Sequence, residues 1–285
     1  MADEPPLRSR AARDAAEKAL MRVVHHYGGR PEFVLLGGLV PELLCTGSKF
    51  HHAGTIDVDV QVGLEIACGA VNAERLEQAL RNAGFAPEDT KIWRWVADGT
   101  VGTPIVKFEL LADLQDQPAD ATIAFDACDQ LGTLNLRGTG FAAHDFEVCE
   151  ISTWDGDAAI TAEVNVSGLA GFLLAKIAAA YSRRKSKDRY DIAFVLLHND
   201  SGGTAAAVAS AKERFGGGIA ALLTALNDLQ ANFQDADAQG SRAYVTQMRM
   251  DHPELNPEML AADAVIAVEE FCQGLRHVSD GYVSD

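Results

Sequence analysis

The chain is short of positive charge. Its 285 residues carry 24 lysines and arginines against 41 acids, a formal net charge of −17. That argues against an extended basic groove for nucleic acid, although an RNA end can still enter a locally basic cleft. Cysteine is sparse too: Cys45, Cys68, Cys128, Cys149 and Cys272 are scattered, with no Cys-x-x-Cys spacing. An odd, dispersed set reads as reduced thiols of a cytosolic protein. The eight histidines show no His-Glu-x-x-His or other zinc spacing. No apolar run approaches the roughly 20 residues that a membrane helix needs. Residues 1–30 are charged throughout, against a signal peptide. A cytoplasmic protein with no membrane association is expected. Two phosphate-binding signatures are also missing. There is no Gly-x-x-x-x-Gly-Lys-Ser/Thr, because Gly47-Ser48-Lys49 has the wrong order, and no Gly-x-Gly-x-x-Gly.

What is present is apolar residue in bulk, 48% of the chain, enough for two packed lobes or one large domain. Periodicity divides it. A helix is expected over 6–28, from Pro5-Pro6 to Gly28-Gly29. Strands are expected near 33–36, 56–62, 91–97, 104–111 and 146–152, with a crossover helix at 72–80 capped by Asn72. Asp98 to Gly102 reads as a hairpin turn. The Gly-rich stretch 131–153 is harder to place. From about 167 the pattern turns helical, with Ser167 as cap and helices over 188–198, 203–215, 218–233, 240–251 and 257–278, before an end at 279–285 that frays. The expected fold class is α+β: a mixed-sheet lobe over 1–165, then a helical lobe over 166–285.

The most informative strand is Gly54-Thr55-Ile56-Asp57-Val58-Asp59-Val60-Gln61-Val62. Alternation puts Asp57 and Asp59 on one face, with Cα atoms roughly 6–7 Å apart, and the apolar residues on the other. Like charges held so close repel unless a cation lies between them. Two hard oxygen ligands suit Mg²⁺, which takes a few carboxylates plus waters and phosphates. A solvated acidic edge strand is the plainer alternative. Upstream, Glu32-Phe33-Val34-Leu35-Leu36 ends in Gly37-Gly38 and a helix start at Leu39 to Leu44. Strand, Gly-Gly, helix suits phosphate, because glycine admits close backbone approach and the helix start offers free N–H groups; a tight turn is the alternative. Ile105-Val106-Lys107-Phe108-Glu109-Leu110-Leu111 alternates as well. Paired beside the Asp57 strand, it lets Glu109 join the aspartates, a set of carboxylates suited to phosphoryl transfer.

Together these motifs resemble the minimal nucleotidyltransferase (polymerase-β-like) superfamily. Further on, Leu173 to Tyr181 with Lys176, followed by Arg183-Arg184-Lys185-Ser186-Lys187-Asp188-Arg189-Tyr190-Asp191, resembles the helical half of AbiEii-like nucleotidyltransferases, the toxins of type IV toxin–antitoxin and abortive-infection systems. The resemblance covers roughly residues 30–200. It departs at His51-His52-Ala53-Gly54, where the family is often longer and more basic, and at Glu109, where Asp is commoner. His51-His52 reads as a loop feature or phosphate contact.

The resemblance implies an enzyme that moves an NMP from an NTP to an acceptor, RNA such as tRNA or a protein, with release of pyrophosphate and an antitoxin as partner. Asp57, Asp59 and Glu109 would bind Mg²⁺ or Mn²⁺, Glu109 also assisting deprotonation of the acceptor. Gly37 and Gly38 would hold triphosphate. Ser48, Lys49 and Lys187 would lie along the nucleotide. Lys176 would reach toward its phosphates, and Asp188 would orient a lysine or the substrate. Lys176 is the lone charge in an apolar helix, so it either has an anionic partner or snorkels to the surface. The basic run 183–189 reads as nucleic-acid contact, nucleotide contact or a solvated helix cap. Two other functions fit the same residues: a small-molecule, antibiotic-type nucleotidyltransferase, and a catalytically silent interaction protein.

Overall fold

The computed structural model describes residues 9–63, 70–97, 104–155 and 158–279. The chain is mixed α and β with a mixed sheet, compatible with the α+β class. It divides into two compact units. One comprises Met1–Leu39, Ala53–Leu136 and Glu147–Val166; the other comprises Val40–His52, Arg137–Phe146 and Ser167–Asp285. The last change between the units falls at Val166/Ser167, and two earlier segments also belong to the second.

The first unit opens with α1 (Arg10–Tyr27), whose start is capped by the Ser9 hydroxyl accepting from Ala12 N and whose end is Gly28 in the left-handed region. The described strands are β1 (Val34–Leu36), β2 (Asp57–Gln61), β3 (Phe85–Glu88), β4 (Lys91–Ala97), β5 (Lys107–Ala112), β6 (Thr122–Ala124), β7 (Gly132–Asn135), β8 (Phe146–Asp155) and β9 (Ala158–Ser167). They pair in the order β3-β4-β5-β2-β1-β9-β8, with β7 beside β5 and β6 beside β7. β2 runs antiparallel to β1 and parallel to β5. Val58, Val60, Trp95, Phe108 and Leu110 are fully buried, so β2, β4 and β5 each turn one face to the core. The crossover helix α3 (Ala70–Asn82) packs against α1, and its Arg81 lies over the Trp95 ring.

In the second unit, a short helix α2 (Val40–Leu44) and another, α4 (Gly140–His144), join the long helices α5 (Leu169–Arg183), α6 (Ser186–His198), α7 (Gly203–Phe215), α8 (Leu223–Asn232), α9 (Gln239–Asp251) and α10 (Pro257–Ser279). Phe172, Leu173, Phe194, Leu226 and Phe271 are sealed in its core.

Several expectations are corrected. Asn72 is not a cap, because α3 already begins at Ala70. The cap of α5 is Gly168, not Ser167, and the buried Asp145 takes over the task by accepting from Gly171 N at 2.8 Å. The stretch 218–233 is split by a 3₁₀ segment, Gly216–Leu222. Pro5-Pro6, the turn at 98–102, Cys68 and residues 280–285 lie outside the described residues. Cys45, Cys128, Cys149 and Cys272 are free thiols. Burial, as the largest cause, pushes Cys45, Cys128 and Cys272 up to about 12, which makes them poor nucleophiles. Among the described residues no helix is long and apolar enough to cross a membrane.

Candidate functional site

The first unit gathers five of the expected site residues. In the parallel β2–β5 pair, Asp57 lies opposite Lys107 and Asp59 opposite Glu109. Cross-strand partners share a face, so Asp57, Asp59 and Glu109 stand together with Lys107 among them. All four are half-buried. β1 flanks β2 on the other side, with Leu36 opposite Asp59, and leads directly into Gly37 and Gly38.

Those glycines are fixed by contact. Gly37 has φ +80, and a Cβ built there would lie 2.7 Å from Asp59 Cγ. A Cβ on Gly38 would lie 2.6 Å from Thr55 Cβ. The backbone turn is thus pressed against the carboxylate of one strand residue and against the threonine that opens the same strand. Thr55 also fixes the start of β2, its hydroxyl accepting from Asp57 N at 3.2 Å. The Gly-Gly turn and the Asp-x-Asp strand, with 18 residues between Gly38 and Asp57, are one structural feature.

Sequence reading missed Arg94. It lies opposite Glu109 on β4, with its Nε 2.7 Å from Glu109 Oε1. The contact is Coulombic more than an aligned hydrogen bond, because Nε has no hydrogen-bond partner in good geometry. The guanidinium also donates from Nη1 to Glu88 Oε2 at 3.1 Å. Burial acts to lower the Arg94 pKa, but the charges of Glu109 and Glu88 outweigh it and the net shift is upward. Only the register of β4 against β5 reveals this pair, and no local pattern announces it.

The remaining expected residues belong to the second unit. Lys176 is buried on α5, where its ammonium donates to Asp191 Oδ2 at 2.7 Å and to Asp188 Oδ1 at 3.2 Å. The anionic partner expected of it is supplied by the chain itself. Arg183 donates to both oxygens of Asp188, at 3.0 and 3.2 Å. His52, also buried, donates from Nε2 to Asp191 Oδ1 at 3.0 Å and stacks on Tyr190. It lies in an irregular segment, as expected, but its side chain is buried in the core. Burial would strip the proton from Lys176, but Asp191 and Asp188 prevail and its pKa is raised. Asp191 follows Asp188 by three residues on α6, a helix-face spacing that sequence alone displays. Of the basic run, Arg189 is buried and Lys187 half-buried. Ser48 and Lys49 line an open cleft of about 650 Å³ with Phe50, His198 and Asp200. The Asp200 carboxylate holds that loop by accepting from Thr46 N, Thr46 Oγ1 and Gly47 N.

Chemically, the sheet face offers two carboxylates with a glycine turn against one of them, and a third carboxylate paired to arginine. Among the described residues no group of three His, Cys, Asp or Glu side chains is arranged to hold a metal ion. Two carboxylates supplemented by waters and phosphate oxygens remain a fitting donor set for Mg²⁺, which rarely uses a full protein cage. The chain matches no protein-family model and no curated protein.

Proposed function

We propose that the chain is a Mg²⁺-dependent nucleotidyltransferase, moving an NMP from an NTP to an acceptor with release of pyrophosphate. One observation carries the reading: the backbone of Gly37 is pressed against the Asp59 carboxylate, so that a phosphate-accepting turn and a carboxylate pair share one place. In a solvated acidic edge strand nothing demands that approach.

In this reading Asp57 and Asp59 hold the ion. An ion held there would supply neutralisation of the charge that develops on the phosphoryl oxygens. Gly37 and Gly38 let the turn close against Asp59 and Thr55, which brings main chain for the triphosphate beside the carboxylate pair. Glu109, beside Asp59, takes the proton of the acceptor hydroxyl. Lys107 adds fixed positive charge next to Asp57. Positioning and electrostatics supply the catalysis. The acceptor is an RNA end such as that of tRNA, or a protein hydroxyl, and the biological role is that of a toxin countered by an antitoxin.

The test is calorimetric binding of ATP, GTP, CTP and UTP with and without Mg²⁺, to the wild type and to Asp57→Ala/Asp59→Ala. Mg²⁺-dependent binding by the wild type is expected, weakened about 10–100-fold or more in the double variant. Full binding by that variant would sink the assignment. No binding by a folded wild type would favour the silent interaction protein.

A further inference from the structure

We propose that the outer edge of β8 is a docking strand: it receives an extended, basic segment of a partner protein, which joins the sheet by main-chain pairing. The inference stands apart from the nucleotidyltransferase reading, because it uses none of the candidate site residues.

The two ends of the sheet are finished differently. At one, β3 has four residues, includes Pro87, which has no N–H to offer, and shifts register between Pro87 and Glu88. A short strand, a proline and an irregularity are what blunt an edge against pairing with another chain. At the other end, β8 has ten residues, Phe146–Asp155, with no proline, lysine or arginine. Among the described residues no strand pairs with its outer side. The N–H and C=O groups on that side repeat at strand spacing, a template that an extended chain matches and a helix does not.

Side chains select the occupant. Alternation puts Val148, Glu150, Ser152 and Trp154 on one face of β8, with Val148 45% and Trp154 63% exposed, and turns the buried Ile151 to the other. The Ser152 and Thr161 hydroxyls lie 2.8 Å apart and carry that face on to β9, where the exposed Glu163 follows two residues later. Neither Glu150 nor Glu163 has an ion pair among the described residues. Between Arg137 and Lys176 the sequence has no lysine or arginine, but it has Asp145, Glu147, Glu150, Asp155, Asp157 and Glu163. A second copy of the chain brings the same acids and a net charge of −17, and is repelled. A segment with lysine or arginine opposite Glu150, and apolar residues opposite Val148 and Trp154, is complementary to the edge in charge and in apolar surface.

The probe is a labelled, end-blocked peptide of about ten residues, the length of β8, in which threonine alternates with arginine or valine. One control peptide has glutamate for arginine, and another has a central proline. Fluorescence anisotropy measures affinity, amide hydrogen exchange of the full chain locates the contact, and circular dichroism checks each variant for folding. The basic peptide is expected to bind and to protect amides within Glu147–Asp155. Both control peptides should bind about 10-fold or more weakly. Glu150→Lys and Trp154→Lys, both at exposed positions, should each weaken the basic peptide to a similar degree, about 10-fold. Glu258→Lys, exposed on α10, makes the same change in net charge as Glu150→Lys and should alter affinity about twofold at most. No binding by the basic peptide, binding without protection of β8, equal affinity for the glutamate peptide, or an equal loss in Glu258→Lys overturns the proposal. So does a wild type that sediments as a dimer with β8 protected, because the edge then belongs to a second copy. If Trp154→Lys fails to fold, Glu150→Lys still decides.

Discussion

Two groups of charges in this chain are built from the same residue types and behave as opposites. On the sheet face of the first unit, Asp57, Asp59, Glu109, Lys107 and Arg94 are half-buried and stand in neighbouring rows of three strands. In the second unit, Lys176, Arg183, Asp188, Asp191 and His52 are arranged around one another, and the two aspartates accept from Lys176, Arg183 and His52. Water reaches the first group and screens its charges in part. The second has almost no water, since the Asp188 and Asp191 side chains are fully covered and the Lys176 side chain is 7% exposed. The solvent-reached sheet face is therefore the candidate site, and the buried network is its structural counterpart.

The comparison breaks most sharply on removal of one charge from each group. Lys176→Met should cost about 3–5 kcal/mol, because it leaves two covered carboxylates with too little compensation. Adding Asp191→Asn should restore part of the loss. Asp59→Asn should change stability by no more than about 0.5 kcal/mol, or raise it by relieving repulsion. Urea denaturation of the four proteins measures all of this. A Lys176→Met variant as stable as Asp59→Asn would show that the network is solvated and that the contrast is false.

The two groups also differed in how far they could be read beforehand. The face of Asp57 and Asp59 was legible because strand alternation is local: Ile56 to Val62 announces its own inside and outside. That Lys176 needs an anion was legible from its apolar helix, and Asp188 stood in the same stretch. What joins residues distant in the chain was not. Arg94 meets Glu109 only through the register of β4 on β5. His52 meets Asp191 across 139 positions. Asp145 replaces the expected Ser167 cap from 26 residues away. β9 was overlooked although Ile160, Ala162, Val164 and Val166 alternate, because the Gly-rich sequence before it carries weak turn signals and its parallel partner, β1, lies far upstream.

A milder perturbation sharpens the account of the sheet face. Gly37 and Gly84 have nearly equal backbone angles, φ +80 and +84, but only Gly37 is hemmed in, for nothing lies within 4 Å of a Cβ on Gly84. Alanine at Gly84 should cost about 1–2 kcal/mol of left-handed strain alone. Alanine at Gly37 should cost that and about 1–3 kcal/mol more as Asp59 is displaced, with Mg²⁺-dependent nucleotide binding falling alongside. Equal losses at the two positions, with binding intact, would mean that the turn and the carboxylate do not work together.

The smallest effect concerns a group that the second unit leaves uncharged. His52 has a carboxylate, but His198 has the Tyr244 hydroxyl at 3.1 Å and the rings of Phe50 and Phe194. Burial lowers its pKa from 6.5 to about 4. The unfolded chain therefore binds a proton that the folded chain refuses between those two values. Stability should rise with pH across that window, and the contribution is complete above 6.5 and lost as pH falls toward 4. Carboxylates titrating in the same acid range add their own slope, so the informative quantity is the difference from His198→Asn. That variant should show a shallower dependence from pH 6.5 to 4, by up to about 2–3 kcal/mol, with stability near neutral pH altered far less. Thermal denaturation at half-unit steps of pH resolves it. Parallel curves for the two proteins would mean that His198 is protonated in the fold, and that the second unit admits an unpaired charge after all.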